Sequence, residues 1–206
     1  MTEIGAANGL RHRKRAAAME RIQAVALDLF DERGYQSVTV EQIAEASEVS
    51  PSSVYRYFGT KEQIVLLGEF EVDVTGAELD GGAVGSPLDI TRSVMREVMG
   101  HLVGGGERRI RRQMRHVMSD PTLEAALARQ VYAASETLGD IFAARLGRPS
   151  DDLEVQVLAH VIVGAMLGGL HHWHGTGFRE PLRDVLEQCM DLVDSGLQIG
   201  DGGRTS

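Results

Sequence analysis

Apolar residues recur at helical spacing along almost the whole chain, and no segment alternates with the two-residue period of a strand. Ile22, Val25, Ala26, Leu29 and Phe30 stand at i, i+3, i+4, i+7 and i+8, which predicts a first helix from about Lys14 to Arg33 with Gly34 as its stop. Two very short helices follow. Thr39 opens the first as a hydroxyl cap, Gln42 three residues later completes a capping box, and Val40, Ile43 and Ala44 share one side. The pattern dissolves at Ala46-Ser47-Glu48. Ser50-Pro51 restarts it, with a hydroxyl at the cap and a proline at the first helical position, where its missing N–H is harmless. Val54, Tyr57 and Phe58, three and four apart, are placed to pack inward against Ile43 and Ala44. Thr60 with Gln63 forms a second capping box, opening a helix expected to run to about Leu79.

Asp80-Gly-Gly-Ala-Val-Gly85 is the clearest domain boundary. Ser86-Pro87 then opens a helix with the stripe Val94, Met95, Val98, Met99 and Leu102, ended by Gly104-Gly-Gly106. The next carries Ile110, Met114, Val117 and Met118 inward, flanked by Arg108, Arg109, Arg111, Arg112 and Arg115; this edge reads as solvated or ion-paired, with contact to an anionic ligand as the alternative. Asp120-Pro121 starts a long helix with Leu123, Leu127, Val131, Ala134, Leu138, Ile141 and Phe142, ending at Leu146-Gly147. From about Ser150 to Trp173, Leu153, Val157, Leu158, Val161, Ile162, Ala165, Met166 and Leu170 cover most of a helix's circumference, so it needs partners on two sides. The last helix, about Pro181 to Leu197, carries Leu182, Val185, Leu186, Cys189, Met190, Val193 and Leu197. Two adjacent apolar helices can pack against their own two-fold copies, which predicts a homodimer through about 151–173 and 181–197.

The expectation is an all-α fold of about nine helices. A loose arm over 1–10 precedes a three-helix helix-turn-helix domain over 11–60. A connecting helix and linker over 61–85 lead to a helical ligand-binding and dimerisation domain over 86–199, and 200–206 is a tail.

The net charge of -9 and pI near 5.3 would argue against a nucleic-acid partner if charge were spread evenly. It is not. Arg11, His12, Arg13, Lys14 and Arg15 cluster ahead of the first helix, and phosphate binding responds to the local field within about 10 Å. A lone cysteine, Cys189, excludes an internal disulfide and suits a reducing cytoplasm. The start lacks the pattern of a signal peptide, and the apolar segment from Val155 to Leu170 falls short of the roughly 18 to 20 residues needed to span a bilayer. A cytoplasmic protein without a membrane partner is expected.

Pro51, Ser52, Ser53, Tyr55 and Arg56 are left on the outer face at the N-terminal end of the second short helix. Helix-turn-helix proteins present this end to base edges in the major groove. Together with Leu29-Phe30-x-x-x-Gly34-Tyr35 before it, Tyr55-x-x-Phe58 within it and Thr60-Lys61-Glu62 with Ile64-Val65-Leu66 after it, the stretch from Arg15 to about Phe70 resembles the DNA-binding domain of the TetR family of transcriptional regulators. Two places depart: Ser47-Glu48 stands where the family commonly has Ala-Gly, and Ser52 where Gly is frequent. A non-glycine residue at Glu48 is strained if its φ is positive. In this reading Ser52, Ser53, Tyr55 and Arg56 meet bases or nearby phosphates. Thr39, Tyr57 and Lys61 hold the DNA backbone beside Pro51 at the helix start, and Arg13 and Lys14 add phosphate or minor-groove contacts. The resemblance implies a dimeric repressor on a near-palindromic double-stranded operator, released when a small-molecule effector binds the second domain.

Arg108 to Asp120-Pro121, Leu146-Gly147-Arg148-Pro149 with Asp151-Asp152-Leu153, and His172-Trp173 also resemble the C-terminal domain of mycofactocin-type TetR regulators, some of which sense acyl-coenzyme A esters. Met95, Met99, Met114 and Met118 on neighbouring inward faces, with His172 and Trp173, are candidates to line a pocket for an apolar or acyl-type effector, though ordinary core packing is the favoured reading for any one methionine. His171-His172-Trp173-His174 suggests a metal. Only His171 and His174 share a helical face, however, and no acid or cysteine completes the set, so no metal or other cofactor is expected. The Gly104-Gly-Gly106 run lies between helices rather than after a strand, so no enzyme is expected either. The competing functions are a dimeric helical signalling module that does not bind DNA and, behind it, a metal-dependent enzyme built on the His171 cluster.

Overall fold

The computed structural model describes residues 3–66, 89, 91–92 and 106–196, with side chains from Lys14 onward. Among the described residues there are eight α-helices and one 3₁₀ turn, and no strand. The predicted helix over 86–103, the linker over 80–85, Met95, Met99 and the tail over 200–206 lie outside these residues, apart from Asp89, Thr91 and Arg92, which are helical.

Helix α1 spans Glu3–Arg33, eleven residues longer at its start than its apolar stripe predicts, so the described part of the expected loose arm, 3–10, is helical. No proline interrupts residues 3–13, and Ala6 and Ala7 favour a helix intrinsically against Gly5, Asn8 and Gly9, preferences that apolar spacing does not register. Gly34, at φ 80°, ends α1 as predicted, its N–H donating to the Phe30 carbonyl at 2.9 Å. The 3₁₀ turn Tyr35–Ser37 leads to α2 (Val40–Ala46), α3 (Pro51–Phe58) and α4 (Lys61–Leu66).

The buried side of α1 is turned relative to the predicted stripe. Ile22, Ala26 and Phe30 are buried as expected, but Gln23 and Leu27 join them, while Val25 and Leu29 are only half-buried. The buried Gln23 amide donates to the Ile64 carbonyl at 2.9 Å, which ties α1 to α4 and satisfies a polar group the apolar pattern could not count. Around this stripe close Val38, Val40, Ile43, Ala44, Val54, Phe58, Ile64 and Val65.

Helices α5 (Gly106–Val117) and α6 (Pro121–Leu146) are followed by α7 (Leu153–Gly175) and α8 (Leu182–Asp194). The chain falls into two compact units, the first joining the N-terminal helices with Arg115–Ala126, the second holding the rest. Within the second, Phe142, Ala143, Val155, Ala159, Ile162 and Met190 form a core. Asp152 caps α7, accepting from Glu154 N at 2.9 Å and Val155 N at 3.3 Å. Gly169 lets α7 approach α8: a Cβ there would lie 2.7 Å from Cys189 Sγ.

At 23 residues, with a mean hydropathy of 1.7 over its most apolar window, α7 is long and apolar enough to cross a membrane by length and composition, where the sequence reading counted only Val155 to Leu170. A core helix of a soluble protein meets the same test, yet only 22% of that window is buried within the chain. Leu153 is 76% exposed and Val157 52%. The expectation that this helix needs a second partner rests on that open face.

Candidate nucleic-acid interface

The predicted capping box is formed in full: Thr39 N donates to Gln42 Oε1 at 2.9 Å, and Gln42 N to Thr39 Oγ1 at 3.3 Å. Ser50 caps α3, accepting from Ser53 N at 3.2 Å, with Pro51 at the first helical position. Gln63 N donates to Thr60 Oγ1 at 3.4 Å at the start of α4. Between α2 and α3, Glu48 is at φ 54°, the strained left-handed turn anticipated from its replacing glycine. The preceding Ser47 is buried, its hydroxyl without a hydrogen-bond partner.

These local choices fix what α3 buries and what it shows. Val54 and Phe58 are in the core, whereas Pro51, Ser52, Tyr55 and Arg56 are exposed and Ser53 is half-exposed. Tyr57, expected inward, is only half-buried, and the Arg56 guanidinium stands 5.0 Å from its ring centre. Arg56 Nη2 also donates to Ser53 Oγ and to the Tyr57 hydroxyl, each at 3.4 Å, while Ser50 Oγ lies 2.9 Å from both Ser52 Oγ and Ser53 Oγ. Ser50, Ser52, Ser53, Arg56 and Tyr57 thus form a connected set, and with the exposed Tyr55 they supply hydroxyls, two phenols and one guanidinium, the side-chain chemistry that reads base edges and phosphates. Lys14 is exposed on α1; the Arg13 side chain lies outside the described residues.

Lys61 is partly buried. Its ammonium donates to the Tyr35 carbonyl at 2.6 Å and sits 4.1 Å from the Tyr35 ring centre and 5.9 Å from that of Phe30. Burial pulls its pKa down, opposed by the Glu62 and Asp120 carboxylates. Burial, and then Glu62, push the Tyr35 phenol well above its ordinary value. Glu62 is held below the usual carboxylate range, first by its backbone hydrogen bond, with Thr60, Tyr35 and Lys61 acting in the same direction against burial. One of three ammonium donors is committed to the turn, which leaves two for a phosphate.

Sequence spacing does not reveal how Arg115–Ala126 joins this unit. His116 Nε2 lies 2.8 Å from Asp31 Oδ1, with its ring edge-on to Phe30 at 5.9 Å, and Gln36 Nε2 donates to Asp120 Oδ2 at 2.6 Å. Asp120-Pro121 reads as a helix start, which it is, and nothing in that signature announces a second partner 84 residues earlier.

The effector candidates differ in burial and divide between the two units. Met114 and Trp173 are buried, His172 is exposed, and Met118 is half-buried in the first unit. Trp173 Nε1 donates to the Glu180 carbonyl at 2.7 Å, and Arg111 stands 5.6 Å from the Trp173 ring centre and 5.2 Å from that of Phe178, with Nη2 donating to Glu107 at 3.1 Å. The ion-paired reading of the arginine edge therefore holds for Arg111. An open groove of about 380 Å³ lies elsewhere, along α7, lined by Gln156, Val157, His160 and Val161. His171 Nδ1 hydrogen-bonds its own helix at the Leu167 carbonyl (2.9 Å) and His174 packs against Phe178; among the described residues no three potential metal ligands come together.

Comparison with known proteins places these units. Residues 22–67 match the family profile described as bacterial regulatory proteins, tetR family, and residues 86–198 match the MftR C-terminal domain. The transcriptional regulator TcmR of Streptomyces glaucescens is 34% identical over 151 residues, covering 70% of this chain and 67% of its own. MftR of Mycobacterium tuberculosis (strain ATCC 25618 / H37Rv), a putative mycofactocin biosynthesis transcriptional regulator, is 25% identical over 192 residues, 90% and 93% of the two chains. The crystal structure of NalD, the secondary repressor of the MexAB-OprM multidrug efflux pump in Pseudomonas aeruginosa, shares the fold with a TM-score of 0.55 at 20% identity, over 92% of this chain and 100% of its own.

Proposed function

This chain belongs to the TetR family of bacterial transcriptional regulators, and we propose that it is a homodimeric cytoplasmic repressor that leaves a near-palindromic operator when a small apolar or acyl-type effector binds. The observation that carries the DNA-reading part is the division of α3. Val54 and Phe58 lock the helix into the core, leaving Ser52, Ser53, Tyr55 and Arg56 along its outer side. In this reading those four meet base edges or adjacent phosphates. Arg56 swings from Ser53 and Tyr57 to do so. Thr39, Tyr57 and Lys61 hold the backbone, Pro51 sets the start of the helix against it, and Arg13 and Lys14 reach further phosphates.

Dimerisation is assigned to α7 and α8. Their mutual packing is supported by the notch at Gly169, and the exposed Leu153, Val157 and Leu192 supply apolar surface for a second copy. The effector is assigned to the second unit, where the buried Met114 and Trp173 are the apolar and aromatic candidates to line its pocket. An effector favouring the non-binding arrangement of two reading heads shifts the population by its differential affinity alone.

The test is a titration of the purified full chain against DNA fragments from upstream of its own gene at two salt concentrations. A two-fold footprint that weakens steeply with salt, and Arg56→Ala lowering the affinity, are the expected results. Binding that ignores salt and sequence would transfer the chain to the helical signalling reading.

A further inference from the structure

Asp120 stands outside the helices that make up the reading head, yet its carboxylate is fully engaged on both sides. Oδ1 caps α6, accepting from Thr122 N at 2.9 Å and Leu123 N at 3.4 Å. Oδ2 accepts from Gln36 Nε2 at 2.6 Å. Gln36 is the middle residue of the 3₁₀ turn Tyr35–Ser37, and that turn adjoins two of the groups assigned to the DNA backbone. Its Tyr35 carbonyl holds the Lys61 ammonium, and two residues beyond it Thr39 caps α2. A short chain of contacts therefore runs from the start of α6, through Gln36 and the turn, to Lys61 on one side and Thr39 on the other.

We infer that Asp120 is a positioning residue for DNA binding: its carboxylate holds the Gln36 turn in the register that sets Lys61 and Thr39 at the phosphate backbone. The inference rests on the DNA-reading function proposed above. Three further observations support it. The segment is seated, since Val117, Leu123 and Ala126 are buried and His116 pairs with Asp31. The Asp120 carboxyl lies below the ordinary carboxylate range although burial alone would raise it, because the Gln36 amide and the helix-start N–H groups outweigh that effect. Its negative charge also favours the charged form of Lys61. The bond to Gln36 is at the surface, so its contribution to global stability is small, while its directional effect adds to the ties that Tyr35 makes to Lys61 and Phe30 in the same turn.

The test compares wild type, Gln36→Glu, Asp120→Asn and the double variant as full chains. Gln36→Glu sets two carboxylates against each other. The double variant exchanges donor and acceptor, since the new amide at 120 can donate to the new carboxylate at 36 while its oxygen still caps α6. Affinity for the upstream DNA fragment is expected to fall roughly tenfold in Gln36→Glu and to return to within about threefold of wild type in the double variant. Backbone amide exchange over the turn and the first turn of α2, measured without DNA, should follow the same order. Equal DNA affinity in Gln36→Glu and wild type overturns the inference, and a lowered melting temperature with unchanged affinity overturns it too, leaving Asp120 a helix cap only. If wild type binds no fragment, the DNA-reading function falls, and the exchange arm still decides: protection unchanged by Gln36→Glu overturns the positioning role. Should Gln36→Glu fail to fold, Gln36→Ala takes its place, with a loss of about threefold expected.

Discussion

Glu48 and Ser47 are adjacent residues that each hold the reading head at a cost. Glu48 adopts φ 54° with a full side chain, and Ser47 buries a hydroxyl that has no partner. Glu48→Gly should stabilise the chain by about 0.5 to 1 kcal/mol, because relief of left-handed strain exceeds the entropy that glycine adds to the unfolded state. Ser47→Ala should gain about 1 kcal/mol by removing an unpaired buried group. Both are read from urea-unfolding midpoints, and a midpoint at or below wild type would refute either. Acid offers another check. Asp120 and Glu62 both have carboxyls held below their ordinary range in the folded chain, so their stabilisation is fully present above the unfolded-state value of about 4 and is lost as pH falls through the folded values. Stability carried by these groups should be flat from pH 7 down to about 5 and fall below about 4, less steeply in Asp120→Asn. At this scale the caps at Thr39 and Ser50 were legible because they are local, three residues from donor to acceptor. The Gln36–Asp120 and Gln23–Ile64 contacts were not, since each joins residues more than forty positions apart and leaves no periodic trace.

Among the elements, α7 and α8 set the tightest requirement. A Cβ at 169 would meet Cys189 Sγ at 2.7 Å, with Leu186 and Val185 close behind, so the two helices approach over a bare backbone. Gly169→Ala should cost about 1 to 3 kcal/mol, and Cys189→Ala in the same chain should recover part of that loss; thermal melts of both variants decide. Helical periodicity identified the described α-helices and the buried sides of α2, α5 and α8, including Ile110, Met114 and Val117 on α5, but on α7 it named Leu153 and Val157, which are exposed, and passed over the buried Val155 and Ala159. It misjudged rotation by one position on α1 and length at that helix's start, because a stripe records only where a helix is buried and α1 runs on beyond its stripe. On α6 the same approximation placed Ala134 inward; Ser135 is the buried one, its hydroxyl turned back on the Val131 carbonyl at 3.1 Å.

At the level of the whole molecule, the exposed apolar face of α7 should govern assembly. Val157→Glu, with Leu153→Glu as its neighbour on the same stripe, is expected to shift the chain from dimer to monomer in sedimentation or light scattering and to weaken DNA binding as a consequence, since one head makes half the contacts. An unchanged mass would move the interface away from this face. The division into two units was legible only in part. The N-terminal head and a helical second unit follow from pattern, but Arg115–Ala126 joins the head from the far side of a sequence gap. The chain has one tryptophan, and Trp173 is wholly buried in the second unit with its indole N–H on a carbonyl. Its emission, excited where tyrosine does not absorb, therefore observes that unit alone, which the four phenols cannot do, since Tyr35, Tyr55 and Tyr57 belong to the other unit and Tyr132 to this one. Indole emission can thus follow one half of the chain while backbone circular dichroism follows both, and a gap between the two melting curves would measure how far that half stands without its neighbour.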